Sequence, residues 1–174
     1  MTTSVEERVS LAEMDEPAGK TEESESKYLS FPLGDSLYGI DIQHVKEVVI
    51  FSENMKITEV PHMPKFTKGI INLRGKVIPV IDLRLRFLLE EKAYDDRTCI
   101  VVIRIDGVIT GLVVDTVAGV VTFNQSDIDP APELADSAQS KFIYGIGKSN
   151  DEVYILLDTE KMLHQKELEA LKNA

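Results

Sequence analysis

The residues best suited to catalysis or metal binding are few in this sequence and widely separated. His44, His62 and His164 lie too far apart for a metal-ligand spacing, so we predict three surface histidines. Cys99 begins an apolar stretch with no adjacent base, which predicts a small buried side chain. There is no Gly-x-Ser-x-Gly turn and no glycine-rich phosphate loop. We therefore predict a protein that is not an enzyme and that uses no cofactor and no metal.

Two aspartates could be imagined as paired carboxylates for acid–base chemistry. Asp41 and Asp115 each end an apolar stretch that is typical of a β-strand. Aspartate at such positions commonly accepts hydrogen bonds from nearby backbone N–H groups. We expect both residues to cap turns rather than to catalyse a reaction.

A third feature, the turn around Arg74, has the character of a binding site. Asn72 and Gly75 both tolerate left-handed backbone angles, which predicts a tight turn between two strands. The guanidinium of Arg74 would project from this turn, where it can bind a carboxylate or carbonyl of a partner. From the residues alone, however, an exposed hairpin arginine or a bridge to the protein's own aspartates is favoured over a binding role for Arg74.

Short stretches of β-branched residues, separated by turn residues, fill most of the chain after residue 26. Gly34-Asp35, Arg74-Gly75 and Asp106-Gly107 are typical of turns between antiparallel strands. This spacing predicts a mainly β fold, either a sandwich or a barrel, and not alternating strands and helices.

The second half of the chain repeats the first. At an offset of 72 positions the matching residues include Gly39 and Gly111, Val45 and Val117, and Val48 and Val120. At an offset of 76 they include Phe66 and Phe142, Val77 and Val153, and Asp82 and Asp158. The change of offset predicts four extra residues in a loop within 127–140. We predict two copies of a five-stranded unit, residues 27–92 and 97–157, with a shared hydrophobic layer between them.

The two ends of the chain differ from this repeat. Residues 1–26 contain eight acidic and two basic residues, which predicts a disordered acidic tail. Asp158 can cap a C-terminal helix within 158–174, and a shorter helix should follow Asp82. We expect Arg84 and Arg86 on that shorter helix to reach solvent or a partner, and a helical turn at 43–47.

Composition excludes several classes of partner. The formal net charge of -11 argues against nucleic acid. No apolar stretch approaches the roughly 20 residues that a membrane helix needs, so no direct membrane contact is expected. A single cysteine excludes an internal disulfide framework and favours a cytoplasmic protein.

The sequence resembles the CheW family of chemotaxis coupling proteins from about Tyr28 to Leu163. The motifs that carry the resemblance are Leu33-Gly34-Asp35, Tyr38-Gly39-Ile40-Asp41-Ile42, Asn72-Leu73-Arg74-Gly75, Pro79-Val80-Ile81-Asp82-Leu83-Arg84 and Gly111-Leu112-Val113-Val114-Asp115. The resemblance implies two SH3-like five-stranded β-barrels that share a hydrophobic core, in agreement with the repeat.

The resemblance also implies function. It points to a non-catalytic adaptor, recruited to membrane receptor arrays, that joins the cytoplasmic tips of methyl-accepting chemoreceptors to the regulatory domain of a CheA-type histidine kinase. A related use, in a non-flagellar array that controls surface motility or another two-component output, is the alternative. The residues that the resemblance assigns to the receptor groove are Val45, Glu47, Val48, Gly69, Arg74, Val77, Val117 and Val120. The alternative for the valines is that they only fill the core between the barrels.

A second surface is implied by the proline-rich loop that contains Asp129, Glu133 and Leu134. The resemblance makes these residues candidates for a kinase or ring contact, because a stiff loop presents its side chains at little ordering cost. Family members often have arginine and phenylalanine in place of Asp129 and Leu134, so the contact here would differ in charge and size.

Overall fold

The structure is a computed structural model, and it describes residues 24–131 and 142–163. Four sequence predictions lie outside these residues. They are the acidic tail up to residue 23, the loop residues Glu133 and Leu134, the surface position of His164, and the continuation of the C-terminal helix beyond residue 163.

The described chain is dominated by eleven β-strands. Their bounds are β1 Glu25–Leu33, β2 Ser36–Asp41, β3 Val45–Ile50, β4 Thr67–Leu73, β5 Lys76–Asp82, β6 Cys99–Ile105, β7 Val108–Val114, β8 Gly119–Asn124, β9 Ile128–Pro130, β10 Ile143–Ser149 and β11 Glu152–Leu157. Two short α-helices, α1 (Leu83–Arg86) and α2 (Thr159–Met162), follow β5 and β11. The mainly β fold is confirmed.

The strands form two sheets, and each sheet takes strands from both halves of the chain. The first has the order β8-β1-β2-β11-β10-β9 and the second has the order β3-β6-β7-β5-β4. The prediction that residues 27–92 form one barrel and 97–157 the other is therefore wrong. The first hairpin of each half, β1–β2 or β6–β7, pairs with the later strands of the other half, so that the two repeats are interlocked.

The repeat itself is confirmed by the strand register. Leu29 pairs with Val120, and their repeat mates Val101 and Val48 pair in the same way. The parallel pairs follow the same rule, because Val80 lies opposite Gly111 and Leu156 lies opposite Gly39. When each residue is replaced by its repeat mate, at an offset of 72 or 76, one strand pair becomes the other. The two halves are therefore related by an approximate twofold axis.

The buried apolar residues of the described chain form three clusters. One, containing Ile78 and Val102, is formed by residues of the second sheet, and another, containing Phe123 and Leu156, is formed by residues of the first. The largest lies between them and includes Phe31 and Val101. The predicted shared layer is therefore present, and it stabilises two units that are each marginal in size.

The two short helices occupy equivalent positions in the two repeats. The side chain of Asp82 accepts a hydrogen bond from the N–H of Leu85, and Asp158 accepts one from the N–H of Lys161. Both helices thus begin after an aspartate N-cap, as predicted. The helical turn predicted at 43–47 is a 3₁₀ turn at Ile42–His44 instead, and strand β3 already begins at Val45.

Candidate functional site

The hairpin between β4 and β5 presents Arg74 at its tip. Arg74 and Gly75 have φ angles of 53° and 85°, and the side chain of Asn72 accepts a hydrogen bond from the N–H of Gly75 at 3.0 Å. Two successive left-handed residues match the twist of a tight antiparallel hairpin. The turn is confirmed, but Arg74 rather than Asn72 adopts the left-handed conformation, and Asn72 stabilises the turn through its side chain.

The guanidinium of Arg74 forms an ion pair with the carboxylate of Glu47 on β3. The side chain of Arg74 remains 71% exposed, whereas that of Glu47 is 24% exposed. Of the two alternatives that the sequence left open, an internal bridge is present, with a glutamate as the acceptor instead of an aspartate. An exposed pair of this kind contributes only about 0–1 kcal/mol, so a competing carboxylate can replace Glu47 at small cost.

Beneath this ion pair lies a pocket with apolar walls and a basic rim, which we call the cationic pocket. The walls are Leu73, Ile78, Val102 and Ile109. The rim is formed by Lys46 and Lys76 together with the paired Glu47 and Arg74, so three cations and one carboxylate line it. Glu47 faces Val102 across the β3–β6 pair, at a point where the register shifts by one residue. The bulge in β3 thus sets the direction of the Glu47 carboxylate toward the hairpin.

The five valines assigned to the groove divide into two groups. Val48, Val77 and Val120 are exposed, at 39%, 63% and 51%. Val45 and Val117, which are repeat mates, are partly buried and pack against the shared core. The exposed valines can contact a partner directly, whereas Val45 and Val117 already pack against the shared core.

Gly69 is buried and has a backbone role. Its φ is +146°, and a Cβ atom added there would lie 2.1 Å from the carbonyl oxygen of Thr58. The N–H of Thr58 donates to the carbonyl of Ile70, and the N–H of Ile70 donates to the carbonyl of Thr58, each at 2.8 Å. Gly69 therefore allows the segment around Thr58 to lie against β4.

The two arginines of α1 are partly buried and are engaged by the protein's own groups, so the expectation that they project freely to solvent or a partner is wrong. Arg84 donates from Nε and Nη2 to the carboxylate of Asp115, at 2.9 and 2.7 Å. The hydrogen bond with Asp115 raises the pKa of Arg84. Asp115 is therefore an ion-pair partner rather than the turn cap that was predicted. No sequence signal connects the two residues, because they lie 31 positions apart on different repeats.

Arg86 lies between two aromatic rings. Its guanidinium carbon is 4.5 Å from the ring centroid of Phe66 and 4.3 Å from that of Phe142. Its Nη2 also donates to the carbonyl oxygen of Met162 at 2.9 Å. Arg86 thereby joins the two repeats at their junction.

The candidate kinase contact is represented in the described residues by Asp129 alone. Asp129 lies on β9, opposite Ile146, and its carboxylate is 3.1 Å from the ammonium of Lys148. Both side chains are more than half exposed. Lys148 partly neutralises the negative charge that distinguishes this loop.

Asp41, His44 and Cys99, which were first considered for catalysis or metal binding, make contacts that stabilise the fold. Asp41 accepts a hydrogen bond from the N–H of Gln43 at 2.9 Å, so its predicted capping role is confirmed. Nδ1 of His44 lies 3.0 Å from the hydroxyl of Thr159. Cys99 is buried, and this burial raises the pKa of its thiol, which disfavours the nucleophilic thiolate.

Comparisons with known proteins agree with this architecture. The family model described as the CheW-like domain matches residues 27–167. The chain belongs to the CheW family. Its members are non-catalytic scaffolding adaptors of chemotaxis, and this chain is accordingly a chemotaxis adaptor and not an enzyme.

Relatives that are chemotaxis CheW proteins match most of the chain. The protein of Klebsiella aerogenes is 36% identical over 163 residues, which is 94% of this chain and 95% of the relative. That of Helicobacter pylori is 36% identical over 146 residues, 83% of this chain and 86% of the relative. The crystal structure of the scaffolding protein CheW from Thermoanaerobacter tengcongensis matches with a TM-score of 0.73 and 35% identity, over 83% of this chain and 96% of that chain.

The described part of the chain, residues 24–131 and 142–163, contains no helix that is long and apolar enough to span a bilayer. In the same residues, no group of three or more His, Cys, Asp or Glu side chains could hold a metal ion.

Proposed function

We propose that this CheW-family adaptor binds the helical cytoplasmic tip of a chemoreceptor across the Arg74–Glu47 ion pair and couples it to a CheA-type histidine kinase. The observation that carries this proposal is an exposed, weakly held arginine above an apolar-walled pocket. The exposed valines Val48 and Val77 belong to the strands that present Glu47 and Arg74. Such a surface fits an amphipathic helix whose apolar positions dock while its charged positions meet the rim.

The polar part of this site exists in only one repeat. At the positions equivalent to Glu47 and Arg74, the second repeat has Gly119 and Asn150. The exposed valines, by contrast, are shared, because Val120 and Val153 match Val48 and Val77 and are also exposed. We infer that apolar contacts supply affinity on both repeats, while the ion pair orients the receptor helix toward the first.

The kinase side of the proposal rests on the loop after β9. Asp129, with Glu133 and Leu134 beyond it in sequence, would contact the kinase regulatory domain or a neighbouring adaptor in a ring. Because the Asp129–Lys148 pair is exposed, it would be exchanged readily for contacts with a partner. Acting between receptor and kinase, the protein would work in the cytoplasm and reach the membrane only through the receptor.

Reconstitution tests the proposal directly. A soluble receptor hairpin fragment and the kinase are mixed with and without the adaptor, and ternary assembly and kinase activation are measured. Arg74→Glu should weaken receptor binding by about tenfold, whereas Arg97→Glu, a matched charge reversal at another exposed site, should not. Equal receptor binding by both variants would exclude the Arg74 assignment.

A charge swap separates the ion pair from its partner-binding role. The double variant Glu47→Arg with Arg74→Glu can rebuild the internal pair with opposite polarity. If Arg74 serves the receptor, this variant should stay folded and still bind weakly. Full recovery of receptor binding would mean that only the internal pair matters.

A further inference from the structure

The cationic pocket has a rim that is complementary to the acidic N-terminal segment. Lys46 and Lys76 are both exposed on its rim, and Arg74 adds a third cation, which is paired with Glu47 and remains 71% exposed. An open pocket elsewhere on the described surface has the opposite character, with Glu53, Asp95 and Asp96 among its residues. The cationic pocket is thus the better of the two for an acidic ligand.

Residues 1–23 of the same chain have the matching chemistry. They contain seven acidic residues against Arg8 and Lys20, and they also include the apolar residues Val5, Val9, Leu11 and Met14. An acidic segment with interspersed apolar side chains suits basic rims and apolar walls together.

The segment can also reach the pocket. Twenty-three residues extend to at most about 80 Å, and a flexible chain of that length has an end-to-end distance of about 26 Å. A compact domain of this size has a radius of gyration of about 15 Å. Because the segment is tethered at Ser24, its effective concentration at the pocket is in the millimolar range, which is sufficient for a weak electrostatic contact.

From these observations we propose that the acidic segment 1–23 docks in cis on the cationic pocket and competes there with the receptor. Docking of the segment on the pocket follows from its charge, its apolar residues and its reach, and does not depend on the proposed receptor function. Its regulatory consequence rests on the proposed receptor function, since only then does the segment block the same rim. Receptor affinity would consequently rise with ionic strength before general screening weakens it.

Occupancy is tested without any receptor. A nitroxide is attached to Ser10→Cys in a full-length Cys99→Val chain, and methyl resonances are followed by paramagnetic broadening. Broadening is expected at Leu73, Ile78, Val102 and Ile109 and not at Val153. It should disappear in Lys46→Glu with Lys76→Glu, and persist in the charge-matched control Lys65→Glu with Lys92→Glu. Uniform broadening, or broadening that survives reversal of the rim charges, would overturn the docking.

Mixing experiments separate docking in cis from docking between copies. A nitroxide-bearing chain without isotope label is mixed with an isotope-labelled chain without nitroxide. Weak or absent broadening at the pocket methyls supports docking in cis. Broadening as strong as within one chain would overturn it.

The competition is tested with a full-length variant in which Glu6, Glu7, Glu13, Asp15, Glu16 and Glu22 become the corresponding amides. Its affinity for the receptor fragment should be about threefold to tenfold higher at low salt, and the difference should vanish near 0.5 M salt, where the screening length is only about 4 Å. Equal affinities at all salt concentrations, together with positive broadening, would overturn the competition while leaving the docking intact. If the fragment binds neither form, the proposed function fails, and the broadening experiment still decides the docking.

Discussion

Arg86 donates a hydrogen bond to the backbone carbonyl of Met162, the residue that occupies its own position in the second repeat. The guanidinium also lies against Phe66 and Phe142, which are repeat mates of each other. These four residues therefore meet where the approximate twofold axis passes. The position that is methionine in the second repeat is arginine in the first, and this arginine joins the two repeats through noncovalent contacts.

We predict that Arg86→Met destabilises the protein by about 2 kcal/mol, because it removes the cation–π contacts and the hydrogen bond to Met162. Urea unfolding at neutral pH measures the change. Arg104→Met, at an exposed arginine of β6, is the control and should change the free energy of unfolding by less than about 0.5 kcal/mol. A wild-type unfolding curve for Arg86→Met would refute a joining role.

Val117→Asp and Val120→Asp should differ although both lie in the predicted groove. Val117 packs against the shared core, so a carboxylate there should cost about 2–4 kcal/mol. Val120 is exposed, so Val120→Asp should remain stable and lose receptor affinity. Thermal unfolding and receptor-fragment binding are measured on both variants. Unaltered receptor binding by a folded Val120→Asp protein would remove this valine from the groove.

Gly69→Ala and Gly75→Ala test two glycines of one hairpin with different surroundings. A Cβ at position 69 meets the carbonyl of Thr58, whereas one at position 75 meets nothing within 4 Å. Both have positive φ, so Gly75→Ala should cost about 1 kcal/mol from backbone strain alone. We expect Gly69→Ala to cost clearly more, measured by chemical denaturation. Equal losses would show that the approach of Thr58 to β4 is not required.

Stability should fall at alkaline pH in a way that depends on Tyr28. Burial, followed by the charge of Asp41, raises the pKa of Tyr28 to about 12 from 10.0. Because the folded-state pKa is the higher one, the stabilisation is complete below pH 10 and is lost as the pH rises to about 12.

Tyr28→Phe should therefore unfold with a shallower pH dependence than the wild type between pH 10 and 12. Denaturant unfolding at several pH values gives the two slopes. Cys99, Tyr38 and Tyr94 also have raised pKa values and contribute equally to both proteins, so the comparison isolates Tyr28. If the free energy of unfolding fell with pH equally in both proteins, the raised pKa of Tyr28 would not be the cause.

Local patterns in the sequence determined the strands, the hairpin at Arg74, the aspartate caps and the repeat with its two offsets. These features depend on neighbouring residues or on similarity between segments, and both are visible along the chain. The family resemblance similarly rests on motifs of a few adjacent residues.

Only the tertiary structure decided how the halves are combined and which side chains are free. The hairpins β1–β2 and β6–β7 each pair with strands of the other half of the chain. The alternation of apolar residues would be the same if each hairpin paired within its own half, so the sequence does not distinguish the two arrangements. The ion pair of Arg84 with Asp115, the hydrogen bond of Arg86 to Met162 and the pairing of Arg74 with Glu47 join residues 27 to 76 positions apart. The sequence does not show whether a charged side chain is solvated or paired within the protein, because the packing of distant segments determines its environment.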